Sequence, residues 1–464
     1  MIIQGITDGA VLQRGKDGTC DIYFQHDGTD DLTVSAGTLQ KADSSWRLTG
    51  IPTGGPYTLT ISSGSDSIAF TDLYVGDLWL LGGQSNMEGA GTVTERDIYW
   101  RDHPNPLVRA FFMGDEWHPA VPLLHRLWKS KDAFIADAWK DYYRKSSWKD
   151  YIQKDGDEET YPYAEYTGVG PGFAFAQKMH DITGVPQGVI PCGIGGSGLD
   201  GWDCASKQEN YYTSMIRRLR ACGGNARGLY WDQGESECSP DGVRAFDERM
   251  CRLAAAVRAE NKGDLAIVCN QIAVNELWNE DEQGNICWSA IREKQRLLPS
   301  IIKDCDTVST INANLSDLIH KDSDSQYDIG RSAAVSMAYL CGYGGMPSIR
   351  FKGFRLSKNI HVPFRYDLDV CYENVSGELR SNGIPKGFSL QCKDEKSWFF
   401  PYKHIQNVEP AKDFVRIHHE MSLDELMEVS VWYGIGNNCS CTVWDSDNRY
   451  LPAMGPLKVK DYLL

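Results

Sequence analysis

Apolar and polar positions alternate in short runs through the first 75 residues (DIYFQH, LTVSA, YTLTISS), and Gly, Asp and Ser turns separate the runs. A period of two marks strands with one face on a core, so residues 1–75 are expected to form a small β-sandwich-like domain. From residue 77 the pattern changes. DLWLLGG, QGVIPCG, ARGLYWD, LAIVCNQ and DTVSTI are unbroken apolar runs, each followed by a longer stretch compatible with a helix. That alternation predicts an α/β domain over 76–345, built on a parallel sheet with crossover helices. Its last helix is expected over 329–340 (IGRSAAVSMAYL), stopped by Gly342. Strand-like runs then return (IRFKGFRL, LDVCYENV, FSLQCK, FVRIHH, MEVSVWYG), and residues 346–464 are expected to be a second β domain. Residues 96–166 follow neither pattern. They are dense in Trp, Tyr and charge (DIYWRDHP, LLHRLWKS, DAWKDYYRKSSWKDY, TYPYAEY) and are expected to form a largely helical insertion into the α/β unit.

Composition narrows the partners. A chain of 464 residues, 42% hydrophobic, exceeds what one core usually holds, in keeping with several domains. Lys and Arg number 47 against 63 Asp and Glu, and a net charge of -16 repels a phosphate backbone, which argues against nucleic acid. No run of ~18 apolar residues is present, so no membrane span is expected. The amino-terminal MIIQGITDGAVLQR has no basic segment followed by an apolar one, so the expected location is the cytoplasm. The 14 cysteines then read as buried thiols of a reducing compartment, and no CxxC or HxxxH pattern points to a metal. Neither a metal nor an organic cofactor is expected, and a homo-oligomer is left open.

Candidate chemistry gathers where the apolar runs end. The carboxyl ends of parallel strands open onto the ligand crevice of an α/β sheet, and Ser85 follows such a run in LLGGQSNMEG. Gly82, Gly83 and Gly89 let the backbone approach a substrate, and the amide of Ser85 at a helix start would meet an anion. A serine here also fits a helix N-cap, or a phosphate loop, although neither a GK[ST] ending nor a GxGxxG follows. As a nucleophile it needs a base. Of the ten histidines, His320 has the right company, because Asp317 precedes it by three residues in SDLIHKDSD, just past the DTVSTI strand. One loop can thus deliver an imidazole and the carboxylate that orients it. Oxyanion donors, each worth ~3 to 4 kcal/mol of barrier, are offered at two further strand ends. These are the backbone amides of IGGSG (194–198) and the side-chain amide of Gln233 in QGES (233–236). Taken singly, each segment also reads as an ordinary strand-to-helix turn.

GQSNM at 83–87, IGGSGLDGW at 194–202, WDQGES at 231–236 and DLIH at 317–320, in this order, resemble the sequence blocks of the SGNH hydrolases. Within them the chain is similar to the sialate O-acetylesterase and acetylxylan esterase-related group. TDGAVLQR, HPAVPLLH, GVGPGFAFA and IREKQ resemble further landmarks of that group, so the likeness spans nearly the whole chain except about 127–160. The resemblance implies a flavodoxin-like three-layer α/β domain flanked by amino- and carboxyl-terminal β domains. It implies Ser85 as nucleophile, His320 as base and later acid, and Asp317 as its orienter. An oxyanion hole would come from the amides of Ser85 and Gly196 with a polar group of the QGES segment. The third block of these hydrolases usually supplies an asparagine, which this chain lacks. Gln233 is the expected donor in its place, with Glu235 as a brace for the loop, and Asp232 stands where related sequences often carry Tyr or His.

The activity so implied is removal of O-acetyl groups from sugars through an acyl-enzyme, with an acetylated carbohydrate as the partner. O-acetyl sialic acid is the first expected substrate, and acetylxylan or another plant polysaccharide is the alternative. A sialate carboxylate calls for a local cation, and Arg101, Arg109 and Arg126 lie in the region for it. The Trp and Tyr residues of 96–166 either stack on a sugar or pack the insertion onto the core. The rival of another class is a carbohydrate-binding protein without turnover, which an incomplete set of catalytic groups would favour; here the set is complete.

Overall fold

The computed structural model describes residues 2–28, 31–42, 44–145, 167–276, 282–359, 362, 364–392 and 402–464. Seven strands form the main path of a ten-stranded central sheet: β1 (Asp66–Gly83), β2 (Val108–Phe112), β3 (Glu116–Pro119), β4 (Gln187–Pro191), β5 (Gly228–Asp232), β6 (Ala266–Gln271) and β7 (Cys305–Ser309). They lie in the order β3-β2-β4-β1-β5-β6-β7, parallel throughout except for β3, which returns against β2. Without the β2–β3 hairpin the order is second, first, third, fourth, fifth, the flavodoxin-like arrangement. The connections reverse direction at β1, and that reversal opens a crevice beyond the carboxyl ends of β1 and β5.

The helices that bear on the site are α1 (Ser85–Glu88), α2 (Ala133–Lys145), α3 (Gly172–Thr183), α4 (Tyr211–Ala221), α5 (Pro240–Glu260), α6 (Glu282–Ile301) and α7 (Ser323–Leu340). Alternate strand residues divide between two faces. Trp79, Leu81, Tyr230 and Val268 pack with Phe175 and Met179 of α3 and Ala334 and Met337 of α7. Leu80, Leu229, Trp231 and Ile267 pack with Leu219 of α4, Met250 of α5 and Ile291 of α6. Both faces are therefore dry, each large apolar side chain contributing ~1.5–3 kcal/mol by its burial, which is why these strands read as unbroken apolar runs.

Two expectations change in the structure. The break near residue 75 falls inside β1, an 18-residue strand. Its first half pairs with Val11–Gln13 and Gly54–Ser63, and its second half enters between β4 and β5. Leu73, Val75 and Leu78 are all fully buried, so the change of texture at 77 marks a change in what covers the strand. The stretch 96–166 is not simply a helical insertion. Helix Glu95–Asp102 and α2 flank the β2–β3 hairpin, and β2 is a strand of the central sheet. Arg109 interrupts the apolar run of β2, yet it is buried, donating to the Gly9 carbonyl at 2.7 Å and pairing with Asp72 at 2.9 Å. TYPYAEY and the end of DAWKDYYRKSSWKDY lie outside the described residues.

α7 begins earlier than 329, because the side chain of Asp322 caps it by accepting from the Ser325 amide. Beyond it lie two four-stranded antiparallel sheets. Gln271, at the end of β6, exchanges two 2.8 Å hydrogen bonds with the Ala453 backbone, and buried Arg292 of α6 donates to the Gly434 and Gly436 carbonyls. These bonds tie the carboxyl-terminal sheets to the α/β layer.

Gly83 closes β1 with φ +133°, and a Cβ there would stand 2.1 Å from the Asp232 carbonyl oxygen. Gly83→Ala should therefore cost about 3 kcal/mol or more of stability in urea unfolding. A loss under about 1 kcal/mol would show that the ends of β1 and β5 separate freely.

Candidate active site

Ser85 opens the one-turn helix α1 directly beyond β1. Gln84 is the N-cap residue, so the serine is the first helical residue and not the cap. The Gln84 amide donates to Asp232 O at 2.9 Å, which holds the turn against the end of β5. The IGGSG loop after β4 docks on the same turn: Ile194 N donates to Gly83 O at 3.0 Å, and Gly195 N donates to Glu88 Oε2 at 2.6 Å. Gly196 has φ +69° with no atom within 4 Å of an added Cβ, so conformation and not space requires glycine there. Among the described residues, neither the Ser85 amide nor the Gly196 amide has an acceptor, and the Ser85 hydroxyl makes no hydrogen bond.

The loop after β7 brings Asp317 and His320 together. The ring Nδ1 lies 2.6 Å from Asp317 Oδ2, while Asp317 Oδ1 accepts from the amides of Ile319 and His320 at 2.8 and 2.7 Å. Partial burial would raise the Asp317 carboxyl, but the hydrogen bonds from the His320 ring and the two amides outweigh it and bring it down to about 2. The carboxylate is thereby kept ionised, and the imidazole orientation is set by its own loop.

Asn86, next to Ser85, joins the three loops. Its Nδ2 donates to Glu235 Oε1 at 2.7 Å, and its Oδ1 accepts from the Lys321 amide at 3.1 Å. Gln326 of α7 holds its carbonyl at 3.0 Å. Below it, Lys321 Nζ meets Asp232 Oδ2 at 2.7 Å with both side chains fully buried, and Asn270 donates to the same oxygen. Glu235 is pushed up by burial and then by the nearby Asp232. Glu88 is pushed up to about 7, chiefly by burial.

A cavity of about 550 Å³ is lined by Ser85, His320, Gly195, Gly196, Glu88, Glu235 and Ser236. Its aromatic wall is Trp139 of α2, Tyr211 of α4 and Trp288 of α6. From 96–166, then, Trp139 reaches the cavity, and Trp128 packs behind it with ring centroids 5.1 Å apart. Ser85, Gly196 and His320 thus line one cavity, and Glu235 beside them accepts the Asn86 side-chain hydrogen bond.

Gln233 does not reach this wall. It is fully buried, and its side-chain amide donates to Glu237 Oε1 at 3.2 Å, so the expected side-chain oxyanion donor is turned away from the crevice. The three expected cations are also elsewhere: Arg101 pairs with Asp102, Arg109 with Asp72, and Arg126 lies over the Phe112 ring. Sequence reasoning passed over Asn86, Glu88 and Lys321, although each lies within three residues of a chosen site residue. That adjacency was the available signal.

A flavodoxin-like sheet with a serine turn, a glycine loop and an Asp-x-x-His loop at its strand ends defines an SGNH-type hydrolase. The chain belongs to the family described as "carbohydrate esterase, sialic acid-specific acetylesterase", whose profile matches residues 75–339. It is therefore an esterase of the carbohydrate acetylesterase class. A protein of Arabidopsis thaliana named a probable carbohydrate esterase is 26% identical over 275 residues, 57% of this chain and 91% of that protein. A crystal structure of a carbohydrate acetylesterase from Xanthomonas citri shares the fold with a TM-score of 0.70 at 18% identity, covering 97% of this chain and 98% of that one. No helix among the described residues is long and apolar enough to cross a membrane.

Removing one partner of a buried ion pair strands the other, so Lys321→Met should destabilise the fold by about 3–5 kcal/mol in chemical denaturation. A change below about 1 kcal/mol would mean that Asp232 finds another partner. Glu88 holds its proton more tightly in the folded state than in the unfolded chain, so it takes stability away as pH rises from 4.5 to about 7. Glu88→Gln keeps an acceptor oxygen for Gly195, so its melting temperature should match the parent below pH 4.5 and exceed it above pH 7. A constant difference across that window would overturn the assignment.

Proposed function

We propose that the protein removes acetyl groups from sugar hydroxyls through a serine acyl-enzyme. The observation that carries this reading is a single cavity lined by Ser85, Gly196 and His320, with the His320 ring held by Asp317 at 2.6 Å. Because Nδ1 faces Asp317, Nε2 is the nitrogen available to the serine. It takes the proton from Ser85 Oγ as that oxygen attacks the acetyl carbonyl carbon. The negative charge on the carbonyl oxygen falls to the amides of Ser85 and Gly196, which have no acceptor among the described residues. The carbon–oxygen bond to the sugar then breaks, and the sugar oxygen leaves with the proton from the imidazolium. Water, deprotonated in turn by His320, attacks the acetyl-serine, releasing acetate and returning the proton to Ser85 Oγ.

Gly195, Gly196 and Ala90 around the serine leave room for a small acyl group, which supports acetyl over longer chains. The family description and the name of the Arabidopsis relative support a carbohydrate as the alcohol. Ser85→Ala should lower acetate release from acetylated sugars and from 4-nitrophenyl acetate by ~10³-fold or more, with an unchanged melting temperature. Undiminished turnover in that variant would remove Ser85 from the reaction.

A further inference from the structure

The family description names an anionic sugar, sialic acid. We propose that the cavity at Ser85 is instead built for a neutral acetylated sugar, and that Glu88 is the residue that sets the preference against anionic ones. The inference rests on the esterase reading above and specifies its substrate class.

The wall carries two carboxyl side chains, Glu88 and Glu235, and three aromatic ones, Trp139, Tyr211 and Trp288. His320 is its one basic side chain among the described residues, and Asp317 already holds that ring. Lys321, next to His320 in the chain, is buried on Asp232, and Arg126, next to the wall residue Leu127, lies over Phe112. An anionic sugar entering this space loses water around its carboxylate and gains no cation from the described wall in return.

Glu88 stands close to the reacting centre. A Cβ built on Gly195 would lie 2.8 Å from Glu88 Oε2 and 3.7 Å from Ser85 Cβ, so the carboxyl and the serine flank the same glycine. Charges a few ångströms apart in a cavity interact several-fold more strongly than in open water, and a sugar whose acetyl group reaches Ser85 must pass beside this carboxyl. A neutral pyranose meets the same wall favourably. Its hydroxyls donate to the carboxyl oxygens of Glu88 and Glu235, and its C–H face lies on the indole and phenol rings.

The test compares acetate release, above pH 7, from a methyl O-acetyl pyranoside, from the uronate with acetyl on the same hydroxyl, and from O-acetyl sialic acid. Wild-type protein should favour the neutral ester by about tenfold or more in kcat/KM, mostly through KM. Glu88→Gln should narrow that ratio several-fold by improving turnover of the two anionic esters. Equal kcat/KM on neutral and anionic sugars, or a ratio unmoved in Glu88→Gln, overturns the proposal while 4-nitrophenyl acetate is still hydrolysed. Absence of turnover on every acetyl ester, 4-nitrophenyl acetate included, overturns the esterase reading and this inference with it.

Discussion

The side chain of Asn86 is divided between two loops, its Nδ2 on Glu235 beyond β5 and its Oδ1 on the Lys321 amide beyond β7. Its own backbone continues from Ser85 beyond β1, so one amide group fixes the mutual position of three strand ends. Parallel strands bring their carboxyl ends to one edge but leave the loops there to find their own register. A buried amide with both ends satisfied supplies that register, since moving any one loop would strand a donor or an acceptor away from water. The candidate nucleophile and the candidate base each sit one residue from this contact, and the geometry of the site depends on it.

Around this point the carboxyl groups divide by environment. Asp317, on the open side, receives three hydrogen bonds and is held low, at about 2. Glu88 and Glu235, on the inner side, are raised by burial. The same side chain chemistry is thereby split into a permanent anion, suited to steadying an imidazole, and groups that ionise reluctantly beside the acyl site. Asp232 is the fourth member, and the buried Lys321 ammonium compensates it. Such a pair adds little net stability compared with apolar residues of the same size, and its consequence here is positional: it anchors the His320 loop to the end of β5.

The core strands were legible in the sequence because both of their faces are covered, which leaves no polar position to break the run. β2 was not, since Arg109 interrupts it, and the distant Asp72, Gly9 and Tyr74 ring make a buried guanidinium tolerable there. The division near residue 75 was legible as a change of texture, whereas the unbroken backbone of β1 across it was not, because hydropathy reports what covers a strand and not where it stops. The helix start at Ser323 carried a local signal in Asp322, an N-cap residue ahead of Ile329, where the apolar pattern begins.

For the site, order along the chain determined which segments meet. Ser85, IGGSG, QGES and DLIH each follow an apolar run, and a parallel sheet with crossover helices carries all such ends to one edge. The Asp317–His320 contact was also local, because three residues of loop suffice to close it. Only the tertiary structure decided which side chains of those segments face the crevice. Gln233 and Glu235 are two residues apart, yet the first turns to Glu237 and the second reaches the cavity. Glu88 and Lys321 were sorted in the same way, into wall and anchor, while Arg101, Arg109 and Arg126 stand away from the cavity. Glu235, Glu88 and Lys321 are held by partners 149, 107 and 89 residues away, and no pattern within a loop encodes where such partners stand.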